Sequence, residues 1–140
     1  MYTEEYITHS PEETALLGKK LAGDMHSVSV VALYGGLGAG KTAFVSGVAA
    51  GFECIQRASS PTYNIVNEYY GRRRVCHFDI YRITDSDRLY EIGWEEYVDS
   101  DALCIVEWSE NIEDALPADC WKITIEKLSE TDRKIRVIKC

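Results

Sequence analysis

VSVVALYGGLGAGKTAFVSGVAAG, residues 28–51, decides the architecture of this chain. Residues 28–34 are rich in β-branched side chains and largely apolar on both alternating faces, the pattern of a central strand. GGLGAGKT follows at 35–42, with Gly35 and Gly40 separated by four residues and Lys41 and Thr42 directly after. That is the spacing of a phosphate-binding loop. Beyond it, Phe44, Val45, Val48 and Ala49 fall on one helical face, and Gly51 offers a stop. Strand, glycine loop and helix in this order predict a parallel α/β arrangement, with the ligand outside the C-terminal end of the strand.

Each residue type in the loop has a physical task. Gly35, Gly38 and Gly40 let successive backbone N–H groups curl around phosphate oxygens. The helix that follows adds its unpaired N-terminal donors and the positive end of its dipole. Lys41 has the reach for terminal phosphates, and the Thr42 hydroxyl suits the magnesium that accompanies them. Gly35, Gly36, Leu37, Gly38, Ala39, Gly40, Lys41 and Thr42 are therefore the expected cofactor-binding stretch, for a di- or triphosphate. A mere glycine turn with a surface lysine would need neither the strand before it nor the helix after it.

With 140 residues the chain suits a single domain, 1–140, with a useful core. Hydrophobic residues at 46% against 27% charged favour an ordered chain over a disordered one. No apolar run is long enough to span a membrane, and MYTEEYITHS lacks the basic start of a secretion signal, so a cytoplasmic location is expected. A net charge of −8 disfavours broad nucleic-acid binding, while Arg72, Arg73 and Arg74 form either a local basic patch or a solvated hairpin. The five cysteines include no CxxC pair, and Cys76 and Cys104 sit in apolar runs, as buried free thiols do. His9, His26 and His77 show no metal-ligand grouping.

In chain order, YITHS reads as an edge strand. Ser10 caps a helix with Pro11 at its first position, Glu13 completes a capping box, Ala15, Leu16, Leu17 and Leu21 form the apolar side, and Gly23 is the stop. Pro61 keeps residues 57–63 extended, either as an ordinary turn or as a loop presenting hydroxyls to a nucleotide. Residues 65–70 and 74–81 read as a hairpin around Gly71. Asp79 falls near the end of VCHFDIY, where it faces magnesium if that strand adjoins the glycine-loop strand, or pairs with Arg82. Residues 85–100 suggest one or two short helices broken at Gly93, their acids mostly solvated and Trp94 either in the core or on a partner surface. ALCIVEW is a second central strand ending at Glu107 and Trp108. Glu107 there orients water or the magnesium shell, or else caps a helix or forms an ion pair; Trp108 holds a loop or partner, or packs in the core. Ser109 starts a short helix, and residues 120–128 and 134–139 form a final strand pair, with Ile123, Ile125, Ile135 and Val137 alternating.

GGLGAGKT, SPTY, HFDIYR, EIGWEEY and VEW, in that order, closely resemble the bacterial TsaE (YjeE) family, over the chain from the N-terminal helix to Trp108. The resemblance implies an α/β P-loop NTPase-like domain with a central mixed, largely parallel sheet flanked by helices. It implies ATP and Mg2+ as cofactors, TsaB and TsaD as partners, association with tRNA through that complex, and no membrane. It assigns Lys41 to phosphate, Thr42 and Asp79 to the metal, and functional importance to the pair Glu107 and Trp108. Ser60, Pro61 and Thr62, preceded by Ser59, match a switch-like segment. Gly36 departs from the family, where aspartate is common, and so takes no acidic role; Tyr63 replaces a common phenylalanine.

The resulting expectation is ATP hydrolysis supporting turnover in N6-threonylcarbamoyladenosine modification at position 37 of ANN-decoding tRNAs. Lys41, Asp79, Glu107 and Trp108 are the expected catalytic residues, and Thr42, Asp79 and Glu107 the expected metal shell. The alternatives are a small-metabolite P-loop kinase, for which no lid or acceptor domain is apparent in the chain, and a nonhydrolytic ATP-dependent scaffold.

Overall fold

A computed structural model describes residues 2–36, 38–55, 66–80, 86–107 and 109–139. Its elements run β1 (Tyr2–Thr8), α1 (Pro11–Ala22), β2 (Val30–Tyr34), α2 (Lys41–Gly51), β3 (Val66–Tyr69), β4 (Val75–Asp79), α3 (Ser86–Glu91), α4 (Trp94–Asp99), β5 (Leu103–Glu107), a 3-10 segment (Ser109–Ala115), β6 (Trp121–Lys127) and β7 (Arg133–Lys139). The strands form one sheet in the order β1-β7-β6-β2-β5-β4-β3. The middle pairings, β6 with β2, β2 with β5 and β5 with β4, are parallel. Both flanks close with antiparallel pairs. This is the α/β architecture expected, a mixed sheet with helices on both faces.

Alternation along the strands divides the core in two. Val31, Leu33, Val75, Leu103, Ile105, Ile123 and Ile125 pack with α1 and α2. Val30, Ala32, Cys76, Phe78, Cys104 and Val106 pack on the other face with Leu89, Trp94 and Ile112. Trp94 is thus a core residue, its Nε1 donating to the Ala115 carbonyl. Gly93, at φ +90°, breaks α3 from α4 where expected. Burial also raises the pKa of the Cys76 thiol to about 11 and of Cys104 to about 12.

Local chemistry explains how α1 starts. The Ser10 hydroxyl accepts from the Glu13 N–H at 3.1 Å, and Glu13 reaches back to the His9 N–H at 3.2 Å, one residue before the cap. Gly23 ends the helix in a right-handed conformation, without the left-handed turn of a typical glycine cap. Leu16, expected on the apolar side, is exposed. What faces α2 instead is small: a Cβ on Gly47 would lie 1.8 Å from the Ala15 carbonyl oxygen. The two helix backbones touch there, and that close approach leaves no room for a larger side chain.

The strand order and the arginine contacts decide two points that the sequence left open. β4 does not adjoin the glycine-loop strand, because β5 lies between them. The arginine run lies in the expected β3–β4 hairpin with Arg72 exposed, whereas Arg73 is half-buried and donates to the carbonyls of Met25, Val28, Asp101 and Ala102. Arg74 bonds Glu68 and Ser100, and Arg72 bonds Gly51 and pairs with Glu53. These guanidinium groups tie loops to the N-terminal end of the sheet.

Candidate active site

The loop after β2 delivers Lys41 to the first position of α2. Gly40, the residue before the helix, sits at φ +100°, ψ 19°, and has no side chain to cap the first turn. A left-handed residue is what turns the chain into the helix here, and glycine adopts that conformation without strain. No acidic side chain occupies the first turn, so the helix presents its dipole to the loop unopposed from within that turn.

Lys41 is only 6% exposed. Its Nζ donates to the Gly35 carbonyl at 2.7 Å and stands 3.9 Å from Glu107 Oε1. The other carboxylate oxygen of Glu107, Oε2, lies 2.6 Å from His77 Nε2. Glu107 is itself 4% exposed, and His77 is completely buried. A line of polar groups therefore runs from the loop carbonyl through Lys41 and Glu107 to His77. Burial makes each link matter, since an ion held in low dielectric is costly without its partner.

Strand register puts the second carboxylate beside this line. Asp79, the last residue of β4, pairs in register with Glu107, the last of β5. Period-two alternation puts His77, Asp79 and Glu107 on the sheet face covered by α1 and α2, the same face as Lys41. Asp79 is half-buried, as is Thr42 one residue into α2. Two carboxylates, a lysine and a helix N-terminus thus meet at the C-terminal ends of parallel strands, the usual ligand position in open α/β sheets.

Of the residues expected at the site, Gly35, Gly36, Gly38, Ala39, Gly40, Lys41 and Thr42 lie on one loop and helix start, with Asp79 and Glu107 facing it from adjacent strands. Leu37, Ser59, Ser60, Pro61, Thr62 and Trp108 lie outside the described residues, as does Arg82, the other expected partner of Asp79. Two contributors were not anticipated. His77 had only its spacing, two residues before Asp79 and hence on the same strand face, to mark it. Arg133, on β7, donates to the loop carbonyls of Gly38 and Ala39 at 3.1 and 3.0 Å; nothing local in the sequence signals that.

The donor set fits a phosphorylated ligand with a divalent cation. A cation and uncapped helix amides suit phosphate oxygens, and a threonine hydroxyl with two carboxylates supplies the hard oxygens that magnesium prefers.

Comparison with known proteins agrees over nearly the whole length. Residues 8–135 match the family model described as threonylcarbamoyl adenosine biosynthesis protein TsaE. The tRNA threonylcarbamoyladenosine biosynthesis protein TsaE of Treponema pallidum is 34% identical over 131 residues, covering 94% of this chain and 97% of the relative. Its Bacillus subtilis counterpart is 36% identical over 132 residues, covering 94% and 82%. The crystal structure of Bacillus subtilis YdiB superimposes with a TM-score of 0.81 at 31% identity, covering 99% of this chain and 86% of that one.

Proposed function

The chain belongs to the TsaE family, and from that membership we propose that it hydrolyses Mg-ATP in step with a TsaB–TsaD assembly, supporting turnover in N6-threonylcarbamoyladenosine modification at position 37 of ANN-decoding tRNAs. Membership carries the P-loop ATPase class with it. The finer assignment rests on one observation: Lys41, Asp79 and Glu107 converge at the ends of β4 and β5 and the start of α2.

In this proposal the amides of residues 35–42 and the start of α2 bind the phosphates. Lys41, whose Nζ donates to the Gly35 carbonyl at 2.7 Å and stands 3.9 Å from Glu107 Oε1, would exchange that carbonyl for phosphate oxygens. Thr42 and Asp79 would hold the magnesium, whose charge would offset that of the phosphates. Glu107, fixed through Oε2 by His77, keeps Oε1 for orienting the attacking water. Positioning and electrostatics of this kind accelerate phosphoryl transfer without a covalent protein intermediate. Trp108 and residues 59–62 are proposed to transmit partner binding to the site. Association with tRNA is then through the complex.

One reconstituted experiment tests this. Modified tRNA and released phosphate are followed together, with and without TsaB and TsaD, for wild type, Lys41→Ala and Glu107→Ala. Partners should stimulate wild-type phosphate release. Lys41→Ala should weaken ATP binding, and Glu107→Ala should bind ATP but turn over at least about a hundredfold more slowly. A phosphorylated metabolite in place of free phosphate would support a kinase. ATP-dependent assembly without phosphate release would support a scaffold. Turnover unchanged by partners would defeat the coupling.

A further inference from the structure

We infer that Arg133 is a positioning residue for the glycine loop, holding its backbone in the phosphate-accepting conformation from behind. The inference deepens the ATP assignment and rests on it. An amide N–H and the carbonyl of the same peptide point in opposite directions, so a loop that turns its N–H groups toward phosphates must turn its carbonyls away. Those carbonyls then need partners of their own.

Arg133 supplies them at two consecutive peptides, the first of which turns its own N–H, that of Ala39, back to the Gly36 carbonyl at 3.2 Å, so the phosphate-facing amide set by the clamp is that of Gly40. Its Nη2 donates to Gly38 O at 3.1 Å and its Nε to Ala39 O at 3.0 Å. The peptide whose carbonyl is Ala39 O carries the Gly40 N–H, the amide next to Lys41. Fixing that carbonyl therefore fixes the direction of the Gly40 N–H. A planar guanidinium fork matches two adjacent carbonyls in a way that a lysine ammonium cannot. Its positive charge also sits beside the loop that must accept several negative ones.

Arg133 is itself anchored. Nη1 donates to Ser129 O at 2.8 Å and to Asp132 O at 3.0 Å, so the turn between β6 and β7 holds the guanidinium in place. That turn is closed by the Ser129 hydroxyl, which accepts from the N–H groups of Thr131 and Asp132. Asp132 in turn bonds His9 at 3.0 Å, next to the cap of α1. The loop is thus braced against the β6–β7 hairpin, on the side away from Glu107.

The test uses the full chain with Mg2+ and N-methylanthraniloyl-ATP, read by fluorescence, together with amide exchange at residues 38–41 of the nucleotide-free protein. Arg133→Ala should bind the nucleotide about tenfold or more weakly and speed exchange at Gly40 and Lys41. Saturated turnover should stay within about twofold, so that KM moves and kcat does not. Arg133→Lys keeps the charge, and should fail to restore affinity; it also carries the test if the alanine variant does not fold. Arg136→Ala, on the same strand but paired with Glu5, should match wild type. Wild-type affinity in Arg133→Ala, unchanged loop exchange, or rescue by lysine would each overturn the clamp. Wild type that binds no nucleotide would overturn the ATP assignment, whereas exchange in the nucleotide-free protein judges the clamp separately.

Discussion

Glu107 is the residue on which the site turns, because its two oxygens face different neighbours. Oε2 is taken by His77 at 2.6 Å, while Oε1 faces Lys41 at 3.9 Å, long for a direct contact. A carboxylate held at one oxygen is fixed in direction and still has an oxygen to offer. His77 is a positioning residue in this sense. Replacing it with alanine removes a fully buried ring and strips a buried carboxylate of its shortest contact, so His77→Ala should lose about 2–4 kcal/mol of stability. Denaturant midpoints would measure that, and single-turnover hydrolysis should fall further than nucleotide affinity does. Full hydrolysis in a folded His77→Ala protein would show that Glu107 needs no such support. A second consequence concerns the thiols of Cys76 and Cys104, whose pKa values burial raises to about 11 and about 12. An unfolded thiol titrates near 8.5. Below that pH both states keep the proton and the folded chain has its full stability. Above it the unfolded chain loses protons first, so stability should decline as pH rises from about 9 toward 12. Denaturant melts of wild type and Cys104→Ala across that range would show it, the variant declining less steeply.

Elements were legible in the sequence wherever their causes are local. The strand–loop–helix of residues 28–51, the Ser10 cap and the Gly93 break each follow from neighbouring residues, and each is found. Contacts between distant segments were not legible. The placement of β5 between β2 and β4 brings Asp79 and Glu107 into register, and Arg133 reaches a carbonyl 94 residues away; neither has a periodicity or a turn signal to announce it. The α1–α2 crossing belongs to this second kind. The sequence marked Leu16 for burial, but the helices approach through glycine. Gly47→Ala should therefore force them apart and cost about 2–3 kcal/mol. Gly36→Ala, in the loop itself, meets nothing within 4 Å among the described residues and should stay within about 0.5 kcal/mol of wild type. Thermal melts of the two variants compare them directly. Equal stability would mean that α2 shifts freely against α1, and that the close backbone approach at Gly47 constrains neither helix.

At the scale of the whole molecule the sheet divides the protein into two unequal partners of the site. The loop, α1, α2, His77, Asp79 and Glu107 belong to one face, and Arg133 braces the loop from the β6–β7 side. The other face, with α3, α4 and the 3-10 segment, shares the strands but not the polar line from Gly35 to His77. A ligand stabilises whatever its contacts order, by an amount set by its concentration over its dissociation constant, about 2.7 kcal/mol at a hundredfold excess. That stabilisation should spread unevenly here. On adding Mg-ATP, amide exchange should slow in the described parts of residues 38–48, at the C-terminal ends of β4 and β5, and in the turn at 129–133. It should change far less across α3 and α4, except as global unfolding becomes rarer. Local opening and global unfolding separate in such data, because only global unfolding follows denaturant steeply. Protection gained first in α3 and α4 would mean that the nucleotide engages the opposite face, and the strand-end cluster would lose its claim to be the site. Protection confined to the predicted segments would leave the α3–α4 face independent of nucleotide.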